Sequence, residues 1–274
     1  MPTPDRTIAQ ALVLADGRGV RVVAASESFD EPEAERIATL FGPRPAGTAC
    51  PRAHFACPFG KSRVAVVAVG DRPDGTLGFR FLVLDRGLYR LLGDPFAISD
   101  RFPIDLAAKG PLPSLEWPAE PLPPRTVHAL QSLLQSGDTS LLLGGAQALV
   151  DGGRVVLKRC EPQEELIRGL WQLLPSRTRT ELWPATFAFS DELRFDAAAM
   201  PDPPSDPNRV RHTEDGLRDY PQSRYELNLQ IAVENGDQLE LDRLLARRTS
   251  DDTIRLGLTI IAIAVVAAVI FKFL

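Results

Sequence analysis

Arg63-Val64-Ala65-Val66-Val67-Ala68-Val69 is dense in β-branched residues and too short for an isolated helix. Asp71-Arg72-Pro73-Asp74-Gly75 then supplies turn chemistry, and Phe79-Arg80-Phe81-Leu82-Val83-Leu84 resumes as a second apolar run. The spacing predicts an antiparallel pair of strands at the centre of a sheet. Before this pair, Ile8 to Leu14 and Val20 to Ala25 flank the turn Ala15-Asp16-Gly17-Arg18-Gly19, which predicts a β-hairpin. Between hairpin and pair, Ser28-Phe29-Asp30-Glu31-Pro32-Glu33 opens a helix with an acceptor at its cap and carboxylates in its first turn. That helix runs to about Leu40, with Ala34, Ile37, Ala38 and Phe41 facing inward, and Pro43 and Pro45 end it.

After the central pair comes a short helix near Gly87–Leu92. From Pro95 to Pro124 the proline density predicts irregular chain and a domain boundary. A second unit begins at Thr126. Val127, Leu130, Leu133 and Leu134 recur at helical spacing up to Gly137, and Asp138-Thr139-Ser140 caps a second helix that ends at Gly152-Gly153. Arg154–Lys158 reads as a strand. Glu161-Pro162-Gln163-Glu164 starts a helix to Leu174 whose apolar face is Leu166, Ile167, Leu170, Trp171 and Leu174. Pro184–Phe189 and Leu193–Phe195 read as short strands. Met200 to Ser223 reads as a proline-rich, exposed linker. Tyr225–Asn235 and Leu239–Arg248 follow as two helices broken at Gly236. This pair resembles one ankyrin-type unit, but a stable array needs about three copies, so a juxtamembrane helical hairpin is the simpler reading.

The tail is apolar on every side. Between Arg255 and Lys272 there is no charge, and Leu256 to Leu274 as a helix would be about 28 Å long, close to a hydrocarbon core of about 30 Å. Met1-Pro2-Thr3-Pro4-Asp5-Arg6 does not open a signal peptide, so the tail is the expected insertion signal. Arg243, Arg247, Arg248 and Arg255 crowd its near side and Lys272 stands on the far side, which predicts a cytoplasmic body at the inner membrane.

The expected fold is therefore α+β: an N-terminal antiparallel-sheet domain over 1–118 and a small second α/β domain over 124–198. A proline-rich linker over 199–223, a helical hairpin over 224–253 and one C-terminal transmembrane helix over 254–274 complete it. A charged share of 24% and an apolar share of 44% are ordinary for a globular chain. The net charge of −5, without a basic stripe, argues against nucleic acid as a partner. Cys50, Cys57 and Cys160 are an odd, sparse set, as in a reduced compartment.

The motifs that could carry chemistry are incomplete. Phe55-Ala56-Cys57-Pro58-Phe59-Gly60-Lys61-Ser62 ends like a phosphate-binding loop, but Phe55 stands where the motif needs glycine, and Arg63–Val69 is a strand where it needs a helix. Cys50, His54 and Cys57 have zinc-ligand chemistry without a fourth local ligand. His128 lies in an apolar helix, His212 in the linker, and Asp16 and Asp71 beside turns. Trp171, Trp183 and Phe187 read as core. No catalytic, cofactor-binding or metal-binding residue is assigned.

Ala11-Leu12-Val13-Leu14, the segment Asp16-Gly17-Arg18-Gly19-Val20-Arg21-Val22-Val23-Ala24-Ala25-Ser26, Asp71-Arg72-Pro73 and Phe79–Asp85 together resemble the N-terminal domain of the GTPase-associated proteins of bacterial NTP-dependent conflict systems. Leu149-Val150-Asp151-Gly152-Gly153-Arg154-Val155-Val156-Leu157 is similar to that family's middle domain, as are Leu166–Pro175 and Pro184–Ser190. The resemblance spans most of residues 7–196 and implies an adaptor or scaffold beside a GTPase. The chain departs from the family in stopping early and adding a membrane tail. The expected function is a tail-anchored, non-catalytic membrane adaptor whose partners are the lipid bilayer and a protein, a GTPase or another conflict-system component. The alternative is a membrane-bound enzyme with a cryptic site, with Cys57 as its candidate nucleophile.

Overall fold

The computed structural model describes residues 5–16, 18–45, 47–103, 105–203, 211–220 and 224–246. β1 (Thr7–Asp16) and β2 (Gly19–Ala25) form the expected hairpin, Asp16 facing Gly19 across the turn. α1 (Glu31–Leu40) begins where the Asp30 carboxylate accepts the Glu33 N–H, and Glu31 and Glu33 meet the positive end of the helix dipole. Ala34, Ile37, Ala38 and Phe41 are all buried, so the predicted inner face is the observed one.

β3 (Ala53–Phe59), β4 (Arg63–Asp71) and β5 (Leu77–Asp85) follow as an antiparallel meander. Val66 of β4 sits between Ala56 and Leu82, and β5 pairs onward with β1, Leu84 facing Ile8. The 63–69 run is thus central, as its composition predicts. Antiparallel sheets often leave one face wet, which gives alternating strands. Here both faces are covered, which is why β4 and β5 are apolar almost throughout. On one face Ala65, Val67, Val69, Phe79 and Phe81 pack with α1. On the other Val64, Val66, Leu82 and Leu84 pack with Leu88, Tyr89 and Ile98.

The segment 95–124 is more ordered than its prolines predict. α2 (Arg86–Leu92) is capped by Asp85, and α3 (Pro95–Arg101) by Asp94, which accepts the N–H groups of Phe96 and Ala97. Pro95 sits at the start of α3, where its missing N–H has no intrahelical partner to lose. β6 (Gly110–Pro111) pairs with β2 and β7 (Leu115–Glu116) with β1. Pro111 is tolerated because β6 is an edge strand.

The later elements are α4 (Val127–Ser136), α5 (Thr139–Val150), β8 (Arg154–Lys158), α6 (Glu164–Leu173), α7 (Ser176–Arg179), β9 (Pro184–Ala185), β10 (Ala197–Met200), β11 (Arg211–His212), α8 (Glu214–Arg218), α9 (Arg224–Glu234) and α10 (Gln238–Leu245). The helix expected from Glu161 starts at Glu164, because the Gln163 N–H is held by the Thr186 carbonyl at 2.8 Å. The strand expected at Leu193–Phe195 is absent and β10 takes its place. Residues 187–190 leave the sheet, with Phe189 and Ser190 donating to the Phe41 carbonyl, and Arg194 turns the chain at φ 57°. Buried Arg154 fixes this turn through Asp191 and the Phe195 carbonyl.

Within 199–223, the described residues carry regular structure where an exposed linker is expected. Met200 closes β10, β11 pairs with β8, and α8 packs on α5 with Leu217 buried. The α5–α8 approach depends on Gly144: a Cβ there would lie 2.0 Å from the Leu217 carbonyl oxygen.

The eleven described strands make one mixed sheet of order β11-β8-β10-β9-β3-β4-β5-β1-β2-β6, with β7 paired to β1. β11, β8, β10 and β9 run parallel, and β9 joins the antiparallel part through Phe55 opposite Ala185. With ten helices among the described residues, the chain is a mixed α/β structure consistent with α+β. α9 and α10 pack on the body: Tyr225, Leu229, Ala232, Leu241, Leu244 and Leu245 join the cluster that holds Leu130, Leu142 and Trp171. Among the described residues no helix is long and apolar enough to cross a membrane. The expected span at 254–274 lies outside the described residues.

Candidate functional site

A cleft of about 1370 Å³ opens beside α6, bounded by α4, the end of α10 and the proline segment 122–125. Its apolar lining includes Leu122, Ala129, Leu133 and Ala97, and four arginines face it: Arg125, Arg159, Arg168 and Arg179. Three of them meet carboxylates. Arg168 bridges Asp100 and Glu164, each at 2.7 Å, and its guanidinium lies 5.0 Å over the Phe96 ring. Asp100 is held below its ordinary value by the Arg168 hydrogen bonds. Arg179 pairs with Asp94 at 2.6 Å, both almost fully buried, and its Nε donates to the Gly93 carbonyl at 2.9 Å. The Trp171 indole donates to the same carbonyl at 3.1 Å. Arg159 pairs with Glu214.

Arg125 differs. It donates from Nη1 to the carbonyls of Gln172, at 2.9 Å, and Leu174, and from Nη2 to the Ser176 hydroxyl at 2.8 Å. Burial, and then the nearby Arg179, bring its pKa down to about 10.

His54 sits behind Glu164. It is 1% exposed, neither ring nitrogen has a hydrogen-bond partner, and Nδ1 stands 3.7 Å from the Glu164 carboxylate. That distance is too long for a hydrogen bond. Burial brings the ring pKa from 6.5 to about 4, against the pull of Glu164. The folded chain therefore resists protonation at pH values where the unfolded chain accepts it. Stability contributed by neutral His54 is expected to fall as pH drops from about 6.5 to about 4, and to level off below that. Urea midpoints measured across that window should slope downward in the native chain and flatten in His54→Gln; an unchanged slope would assign the effect to other groups.

The other residues singled out in the sequence do not converge. Cys57 is 1% exposed and points into the Phe29, Phe55 and Phe59 side of the sheet, three positions from His54 and so on the opposite face. Burial pushes its thiol pKa up, and the charges it senses, Arg36 and Glu33, are paired with each other. A thiol so placed is a poor nucleophile. Cys50 is also buried, its pKa pushed up to about 12 by burial and then by Asp71, and Cys160 is exposed. Among the described residues no group of three or more histidine, cysteine or acidic side chains is placed to hold a metal ion. The stretch Phe55–Ser62 is a hairpin between β3 and β4, with Gly60 at φ 62° in the turn, so the chain has strand–turn–strand where a phosphate loop needs a helix. His128 is exposed on α4, and the His212 ring meets Tyr220 edge-on at 4.9 Å. Trp171 and Phe187 are core, as expected, while Trp183 is partly buried and stacks on Tyr89.

Sequence reasoning missed the cleft entirely. Arg125 follows two prolines and precedes the Thr126 helix cap, a setting that reads as solvated loop. No family model matches this chain, and no curated protein matches its sequence.

Proposed function

We propose that this chain is a tail-anchored, single-pass membrane adaptor. Its α+β body faces the cytoplasm from the inner membrane and binds a protein partner, a GTPase or another component of a bacterial conflict system. The charge-free run before Lys272 and the arginines on its near side support the anchor and its orientation. The partner class rests on the resemblance of residues 7–196.

One observation carries the adaptor reading. On α9, Leu227 and Ile231 are 44% and 45% exposed at i, i+4 spacing, and Leu239 at the start of α10 is 83% exposed. The opposite faces of both helices are buried in the body, so Leu227 and Ile231 lie side by side on an outward apolar face of α9 and Leu239 faces outward on α10. Exposed apolar patches of this kind mark interaction surfaces. Tethering adds effective concentration without further contacts.

The test is fractionation combined with cross-linking. The full chain should sediment with membranes, and deletion of residues 254–274 should release it to the supernatant. A photo-reactive residue at Ile231 should trap a discrete protein adduct in the membrane fraction, and Leu227→Asp should remove that adduct. A full chain that stays soluble without detergent would refute the anchor. An adduct indifferent to Leu227→Asp would refute the docking surface.

A further inference from the structure

Four arginines line the cleft beside α6, and one of them is not matched by a carboxylate. Among the described residues, Arg159, Arg168 and Arg179 each pair with a carboxylate, whereas Arg125 has no ion pair. Of the arginines and carboxylates around it, Arg179 and Asp94 act on it most strongly, and Asp94 already serves Arg179. The α6 carbonyls that Arg125 contacts carry only about half an elementary charge at a helix C-terminus. Three further carboxylates line the cleft: Asp138 pairs with Arg218, and Glu165 and Asp242 are exposed to solvent and make no ion pair with Arg125.

We propose that this cleft binds an organic carboxylate carried on an apolar body, the carboxylate seated on Arg125. The donor arrangement selects the headgroup. Both Nη1 hydrogens go to the Gln172 and Leu174 carbonyls and one Nη2 hydrogen to Ser176 Oγ. Among the described residues Nε–H and one Nη2–H are left without an acceptor, and the Nε–Nη2 side of a guanidinium is one that grips a carboxylate with two hydrogen bonds. The charge selects the valence: one incompletely matched cation suits a monoanion better than a phosphate dianion. The walls select the body, since Leu122, Ala129, Leu133 and Ala97 offer hydrocarbon contact and the volume far exceeds that of an ion. The inference rests on the cleft alone and holds whether or not the chain is a membrane adaptor.

The test uses the full chain, in nanodiscs where it partitions to membranes and in buffer where it does not, with hexanoate as the probe, short enough to remain in water. Saturation-transfer NMR should show hexanoate bound, with hexanol and inorganic phosphate failing to compete. Arg125→Lys keeps the charge and loses the fork, and should weaken hexanoate at least about tenfold, the loss of a charge-assisted hydrogen bond. Ala129→Asp, at an exposed position of the apolar lining, should abolish binding. Asp242→Asn, on the rim, should change affinity less than about twofold. Equal binding of hexanol and hexanoate would overturn the proposal. So would an Arg125→Lys chain that binds as well as the native one, which would leave Arg125 as a clamp on the end of α6 and nothing more.

Discussion

Asp94→Ala is expected to lower the unfolding free energy by about 4–6 kcal/mol, the sum of a broken buried ion pair and a lost helix cap. Asp94 and Arg179 have side chains each 7% exposed, so neither ion recovers hydration when its partner is removed. The guanidinium left behind keeps its Gly93 contact but loses its counter-charge. Arg125 nearby worsens its position, since both cations then share a site without an anion. Asp94 also accepts the N–H groups of Phe96 and Ala97 at 3.1 Å, so the substitution unpins α3, and Gln172 loses an acceptor. Chemical unfolding of the chain in mild detergent reads the total. Asp94→Asn separates the parts: its amide oxygen retains the cap, and it should recover about 1 kcal/mol relative to alanine. An alanine variant within about 1 kcal/mol of the native chain would mean that water reaches Arg179 and that the pair is not buried as described.

Phe41→Ala should cost about 3–5 kcal/mol, the range for emptying a fully packed aromatic site. Phe41 has no exposed surface and its ring meets three others: Phe55 stacked at 5.4 Å, and Phe79 and Phe189 edge-on at 5.4 and 5.2 Å. Its carbonyl accepts from Phe189 and Ser190, at 3.2 and 3.0 Å. The ring therefore ties α1 and the antiparallel strands to the segment that leads into β10. Phe41→Leu retains most of the volume and should cost clearly less. If alanine and leucine variants unfold at the same denaturant concentration, the aromatic cluster is not what joins the two parts of the sheet.

Local chemistry in the sequence determines much of this protein. The β-branched run at 63–69, the turn at 71–75 and the run at 79–84 can satisfy their backbone groups only by pairing, and they occupy the middle of the sheet. Asp30, Thr126 and Asp138 cap the helices they precede, because an oxygen beside an orphan N–H needs no distant partner. The inward face of α1 follows from helical period alone.

Other features were settled by contacts across long separations. Proline density between 95 and 124 says only where a backbone donor is missing; that Pro95 begins a helix and Pro111 ends an edge strand depends on what lies beside them. The strand at Ala197–Met200 carries alanines with little strand preference, and it forms because β8 and β9 offer a parallel slot on either side. The cleft is the extreme case. Arg125, Arg168, Arg179, Asp94 and Asp100 have no shared spacing in the chain, and which arginine lacks a carboxylate is fixed only when α3, α6 and α7 are packed together. Period and capping act within a turn or two of the backbone, so a sequence displays them; charge balance in a cleft is a property of the packed surfaces, and it exists only in the fold.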